Sequence, residues 1–166
     1  MWSRLAQIYH SGLRNFVIGL MAASGLAVLG MMAVTCIDVV GRIFGHPLKG
    51  SIDIVSLLGG VAIACALPYT TAVKGHVAIE YFFHKLHRIG RIVVDTMVRL
   101  VAILLFGLLA WRNVHYGLSF MESRQVTPTL QLPLFWLPWL ISICCLAVVL
   151  VIFYNLTHPG RTMIKP

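Results

Sequence analysis

The chain has 166 residues, 59% of them hydrophobic and only 11% charged. A soluble domain carries roughly 25% charged residues, and one small core cannot hide this much apolar surface, so the composition points to lipid as the solvent. The net charge of +8 would suggest nucleic acid in a soluble protein. Here the basic residues cluster in the connecting segments, as the positive-inside rule requires, and nucleic acid is not an expected partner.

Residues 1–15 are weakly amphipathic, with Trp2, Leu5, Ile8, Tyr9 and Leu13 able to share a face. They predict a short interfacial helix feeding the first span. The apolar run 16–37 is too long for the hydrophobic region of a signal peptide and long enough to cross a bilayer. Ala33-Val34-Thr35 is a poor approach to a lipoprotein cysteine at Cys36. A retained helix is therefore expected, with Gly19, Ala23, Gly25, Ala27, Gly30 and Ala33 allowing close packing.

A polar turn follows, broken at Gly41, Gly45, Pro47 and Gly50. Asp38 and Arg42 stand one helical turn apart and can pair. Ser51 is the expected N-cap of the second span, which places Asp53 in the first turn at the positive helix end. The sharper reading of Asp53 is an ion pair with Arg42 or with a partner chain. The second span is 54–69, with small faces at Gly59, Gly60, Ala62 and Ala64 and with Pro68 near its end, where a missing backbone bond costs least.

Residues 77–91 form the clearest amphipathic pattern. Ile79, Phe82, Phe83, Leu86 and Ile89 fall on one side, and Glu80, His84, His87, Arg88 and Arg91 on the other. That pattern predicts an interfacial helix with a basic cytoplasmic face. His76, Glu80 and His84 recur every four residues, but no further ligand supports a metal there, and a solvated face is the better reading.

The third span is 92–114. Asp95 is one turn from both Arg91 and Arg99 and can pair with either. Arg99 is read as snorkelling, with a partner subunit or a lipid phosphate as the alternative contact. Residues 115–133 form a second connection, which Pro128 and Pro133 make a rigid turn rather than a helix. The fourth span is 134–154, with Trp136 and Trp139 as an interfacial belt.

The four cysteines, Cys36, Cys65, Cys144 and Cys145, lie in or beside apolar runs and form no C-x-x-C. They read as buried free thiols behaving as small hydrophobes. With four spans, both termini and the 70–91 segment share a side. That side holds eight basic residues (Arg4, Arg14, Lys74, Lys85, Arg88, Arg91, Arg161 and Lys165). The other holds four (Arg42, Lys49, Arg112 and Arg124). The imbalance places both termini in the cytoplasm. The expected architecture is an all-α integral membrane protein, one membrane domain over 1–166, with four transmembrane helices and an amphipathic helix on the cytoplasmic side.

The chain shows no phosphate-binding glycine loop, no nucleophile–base set and no carboxylate pair at the membrane midplane. A transporter core shows broken helices or buried polar groups there. No catalytic, substrate-binding or metal-ligating residues are therefore assigned and no cofactor is expected. The residues read as an accessory or scaffold membrane subunit whose active surface is its contact with another protein.

Several motifs then carry a family resemblance over nearly the whole chain. They are Val39-Val40-Gly41-Arg42 with Pro47, the acidic Asp53, Pro68, Gly75-His76-Val77-Ala78-Ile79-Glu80, and Thr127-Pro128-Thr129-Leu130 followed by Pro133 and Trp136. In order and spacing the chain resembles the small, Q-type membrane subunit of tripartite ATP-independent periplasmic (TRAP) transporters. It departs from members that carry an aromatic residue and a glutamate where Ser51 and Asp53 stand here.

The resemblance implies that a large multi-span partner subunit carries substrate and sodium while the small subunit enlarges and anchors its static scaffold. It also implies that a periplasmic solute-binding protein delivers an organic acid to the outer face. The location would be the bacterial inner membrane, with lipids as further contacts. Arg42, Asp53 and the 115–133 loop would lie on the docking side, and the Gly/Ala faces, Asp95 and Arg99 would be covered by the large subunit. Two other functions compete with this one. A haem- or quinone-linked anchor of a redox enzyme needs histidines inside the spans, whereas all seven lie in connections or at span ends. A small homodimeric drug exporter needs an embedded carboxylate early in the chain, and Asp38 is too near a span end.

Overall fold

The computed structural model describes residues 2–73 and 88–157, with side chains over 12–73, at 94 and over 96–154. The described chain is four α-helices: α1 (Trp2–Ile43), α2 (Ser51–Ala72), α3 (Arg88–Glu122) and α4 (Trp136–Thr157). Each contains a stretch long and apolar enough to cross a membrane. Most of the amphipathic segment expected over 77–91, with Gly75, His76 and Glu80, lies outside the described residues, as does the side chain of Asp95.

The helices follow the apolar runs but overrun most of the expected bounds. α1 reaches Ile43, α2 Ala72 and α4 Thr157, and α3 begins at Arg88 and so takes in 88–91 of the expected amphipathic helix. Three differences matter most. Residues 2–15 are not a separate interfacial helix. With no proline before Pro47 to interrupt the backbone ladder, α1 runs 42 residues unbroken, about 63 Å at 1.5 Å per residue. The hydrocarbon core of a bilayer is only about 30 Å thick. Secondly, α3 continues past Val114 to Glu122, so the first half of the expected 115–133 connection is helix and only the part after Glu122 is turn. Thirdly, Ser51 is the first helical residue of α2, whose cap is Gly50 with φ 84° and no side-chain cap bond.

Two helix ends share one solution. α1 closes with Gly45 N–H on the Arg42 carbonyl (3.1 Å) and His46 N–H on the Gly41 carbonyl (2.8 Å), and Gly45 has φ 74°. This is the paired bonding of a Schellman stop, with glycine in the left-handed position. α3 repeats it with Arg124 N–H on Met121 (3.4 Å) and Gln125 N–H on Phe120 (3.1 Å). There the left-handed residue is Arg124 itself, at φ 47°.

The helices pack as a row: α1 on α2, α2 on α4, and α4 on α3. Near the chain termini Leu13 and Val17 of α1 meet Ala72 of α2 and Val151 and Tyr154 of α4, with Tyr69 against them. Further along, Ala64 and Cys65 of α2 pack on Cys144 of α4, flanked by Leu20 and Ala23 of α1. Small residues let backbones approach: Gly30 lies against Leu58 and Gly60 against Leu137. Cross-helix hydroxyls tie both outer helices to the inner pair. Ser24 donates to the Ala62 carbonyl at 2.8 Å, and Ser142 donates to the Ala110 carbonyl at 3.0 Å.

The inner helices α2 and α4 supply most of the core, while α1 and α3 leave their outward faces uncovered. Leu26, Leu29 and Met32 on α1 and Met97, Leu104 and Leu108 on α3 are exposed. Cys65, Cys144 and Cys145 are buried as expected, but Cys36 is exposed, because it points away from the α1–α2 seam.

Candidate functional site

The polar chemistry of the described chain gathers where α1 ends, α2 begins and α3 turns into α4. Two carboxylates organise it. Asp38, in the last turns of α1, is buried. Its Oδ2 accepts from the Arg42 guanidinium, with Nε at 3.0 Å and Nη2 at 2.9 Å. Its Oδ1 accepts the Leu48 N–H at 2.9 Å, and the Ser51 hydroxyl is a further donor. One carboxylate thus joins the end of α1, the turn after Pro47 and the first residue of α2. Ser51 serves this junction rather than capping its own helix.

Asp53 does not pair with Arg42. It lies in the first turn of α2, buried, and its Oδ2 accepts the N–H of Thr129 at 2.8 Å and of Leu130 at 2.9 Å. The hydroxyls of Thr127 and Thr129 are additional donors. Arg42 is already held by a partner four residues back on its own helix, and Asp53 is turned the other way, towards the 127–130 loop.

That loop is closed on itself. Thr127 N–H donates to the Leu132 carbonyl (2.9 Å) and Leu134 N–H to Gln125 (3.1 Å). Val126 and Pro133 form an antiparallel bridge. Thr127 Oγ1 accepts the Leu132 N–H at 3.0 Å. Most loop donors find partners within the loop, and the N–H groups of Thr129 and Leu130 point at Asp53. The Leu130 side chain then seats on Gly50, where an added Cβ would stand 2.5 Å from Leu130 Cγ. Two connections far apart in sequence thereby become one platform.

Other residues singled out by the sequence sit elsewhere. Pro68 is buried inside α2. Arg99 is half-buried on α3 and is engaged in an interaction of its own. Pro47 is exposed in the first turn. Sequence reasoning missed the flank of α3, where Trp111 meets His115 edge-on at 5.1 Å and the Arg112 guanidinium stands 5.7 Å from the centre of the Tyr116 ring. The four-residue spacing of both pairs was the available signal. Among the described residues the geometry brings no nucleophile and base together. It offers two rigid junctions and long uncovered helix faces, which suit a protein that acts by contact.

No curated protein and no solved structure matches the chain. The family model described as "Tripartite ATP-independent periplasmic transporters, DctQ component" matches residues 31–161. That span holds both carboxylate junctions, the α2–α4 seam and all of α3. The chain belongs to the DctQ component family of TRAP transporters.

Proposed function

We propose that this chain is the static small subunit of a sodium-coupled TRAP transporter that imports an organic acid across the bacterial inner membrane, and that it works by holding the large transport subunit. The observation that carries this reading is the uncovered apolar surface of α1 and α3, set beside family membership. An isolated four-helix membrane protein needs only lipid around it. Here the outer helices are also much longer than a bilayer requires, and α3 rests on α4 alone among its major contacts. Such a row suits a bracket laid against a larger membrane protein. The two buried carboxylates at the helix ends, Asp38 and Asp53, are consumed by internal bonds, and in this reading transport chemistry belongs to the partner.

In this reading both termini and the amphipathic 77–91 segment are cytoplasmic. The platform of Asp38, Asp53 and the 123–135 turn faces the periplasm, where the solute-binding protein arrives. Sodium and substrate are bound by the large subunit, and Asp95 and Arg99 lie on the covered side.

The test is co-expression with the large subunit and the solute-binding protein. The expected outcome is a stable complex of the two membrane chains, and sodium-dependent uptake in proteoliposomes only when both are present. Uptake by this chain alone, or full uptake by the large subunit without it, overturns the proposal.

A further inference from the structure

We infer that the outward flank of α3, towards its platform end, carries a binding site for the phosphate of a membrane glycerophospholipid, centred on Arg112. The inference does not depend on the function proposed above, because every group in the site belongs to this chain. At 3.6 residues per turn, Trp111, Arg112, His115 and Tyr116 share one exposed face of α3. They lie opposite Ala110 and Gly117, which meet Ser142 and Trp139 of α4. The four side chains are held against one another. The Trp111 ring meets His115 edge-on at 5.1 Å. The Arg112 guanidinium stands 5.7 Å from the centre of the Tyr116 ring, and Tyr116 in turn meets Phe120 at 6.4 Å. Among the described residues no carboxylate answers Arg112. The helix packed on α3, α4, contains no acidic residue. Glu122 of α3 lies about 15 Å further along the axis, and Asp38 and Asp53 are taken up by their own junctions.

Depth decides which anion fits. Trp136 opens α4 and the Trp139 indole lies on Gly117, so the interfacial aromatic belt crosses α3 near residue 117. Arg112 lies about 7.5 Å from that level towards the middle of the membrane, where half the hydrocarbon core is about 15 Å thick. A cation at such a depth is stabilised when a lipid phosphate is drawn to it, whereas a soluble anion would have to leave water to reach it. The same outward face continues below the cluster as Val101, Leu104, Leu105 and Leu108, all exposed. One face of one helix therefore offers an apolar bed for acyl chains, topped by a guanidinium fork suited to phosphate. Stacking on Tyr116 limits the freedom the guanidinium would lose on binding, and the Tyr116 hydroxyl and the His115 ring are further donors.

The test is titration of the purified chain in detergent with phosphatidylglycerol, read by native mass spectrometry. Arg112→Gln removes the charge, and Arg112→Lys keeps the charge without the fork. Lys49→Gln removes an exposed cation of the platform that lies outside the site. Thermal unfolding should not change, since Arg112 is exposed; should Arg112→Gln fail to fold, Arg112→Lys carries the comparison. The expected result is one tightly held lipid per wild-type chain. Its Kd should rise about tenfold in Arg112→Gln, rise less in Arg112→Lys, and stay unchanged in Lys49→Gln. Glycerol 3-phosphate at the same concentration should not displace it. An unchanged Kd in both Arg112 variants overturns the inference. An equal loss in Lys49→Gln also overturns it, since it would mean diffuse attraction between charges rather than a site. Displacement by glycerol 3-phosphate overturns it and assigns the cluster to a soluble anion. Loss of assembly with the large subunit in Arg112→Gln, at unchanged lipid Kd, overturns it and assigns the arginine to a protein contact.

Discussion

Gly50 carries two constraints at once. Its φ of 84° is a left-handed value that costs an L-residue roughly 1–2 kcal/mol, and the Leu130 side chain occupies the space a Cβ would need. Gly50→Ala is therefore expected to lower stability by about 2–3 kcal/mol, the sum of backbone strain and overpacking. In Gly50→Ala/Leu130→Ala the packing part should be relieved and the backbone part should remain, giving a non-additive cycle of about 1 kcal/mol in thermal unfolding of the purified protein. Strictly additive costs would show that the two residues do not meet. The same junction marks where residue-level reading of the sequence stops. Asp38 with Arg42 was legible, because a spacing of four is local. The helix-start position of Asp53 was also legible. Its partners were not, because they are backbone N–H groups 76 and 77 residues away, and no choice of residue type announces a backbone donor.

The helices themselves were largely written in the apolar runs, and the errors fell at their ends. A helix stops where its last carbonyls find other donors, and polarity alone does not report that. The polar residues His115 and Ser119 looked like the start of a loop, yet they sit on an exposed flank of α3 and leave its ladder intact until Arg124 turns left-handed. The same weakness hid the continuity of α1, whose first turns change in polarity without a break in backbone bonding. Packing between elements gives a more testable statement. α3 is held through α4, where the Trp139 indole lies on Gly117 and Ser142 reaches Ala110. Gly117→Leu should displace the indole at a cost of about 1–3 kcal/mol. Ser142→Ala should cost only about 0.6 kcal/mol, since the Ala110 carbonyl loses just a second donor. Hydrogen exchange followed by mass spectrometry should then show faster exchange along α3 in Gly117→Leu, little change in Ser142→Ala, and unchanged protection at the α1–α2 seam. Equal loosening of all four helices would mean that α3 is not a separable element.

At the scale of the molecule, α1 and α2 run antiparallel, and so do α3 and α4. The two connections at the platform end therefore share one side, opposite the termini. The proposed direction in the membrane rests on charge: eight basic residues on the terminal side against four on the platform side. The cysteines make this directly measurable. Cys65, Cys144 and Cys145 are almost wholly buried while Cys36 is exposed, so replacing Cys36 with serine leaves a chain with little thiol reactivity. In that background Lys49→Cys and Ser123→Cys report the platform, and Thr162→Cys reports the tail. A membrane-impermeant maleimide added to intact cells with a permeabilised outer membrane should label the first two and spare the third. Labelling of Thr162→Cys should appear only after the inner membrane is opened. The inverse pattern would put the platform in the cytoplasm, beyond reach of any periplasmic partner, and would remove the physical basis for a docking face there. Labelling of all three positions in intact cells would mean that the row of helices does not cross the bilayer as four spans.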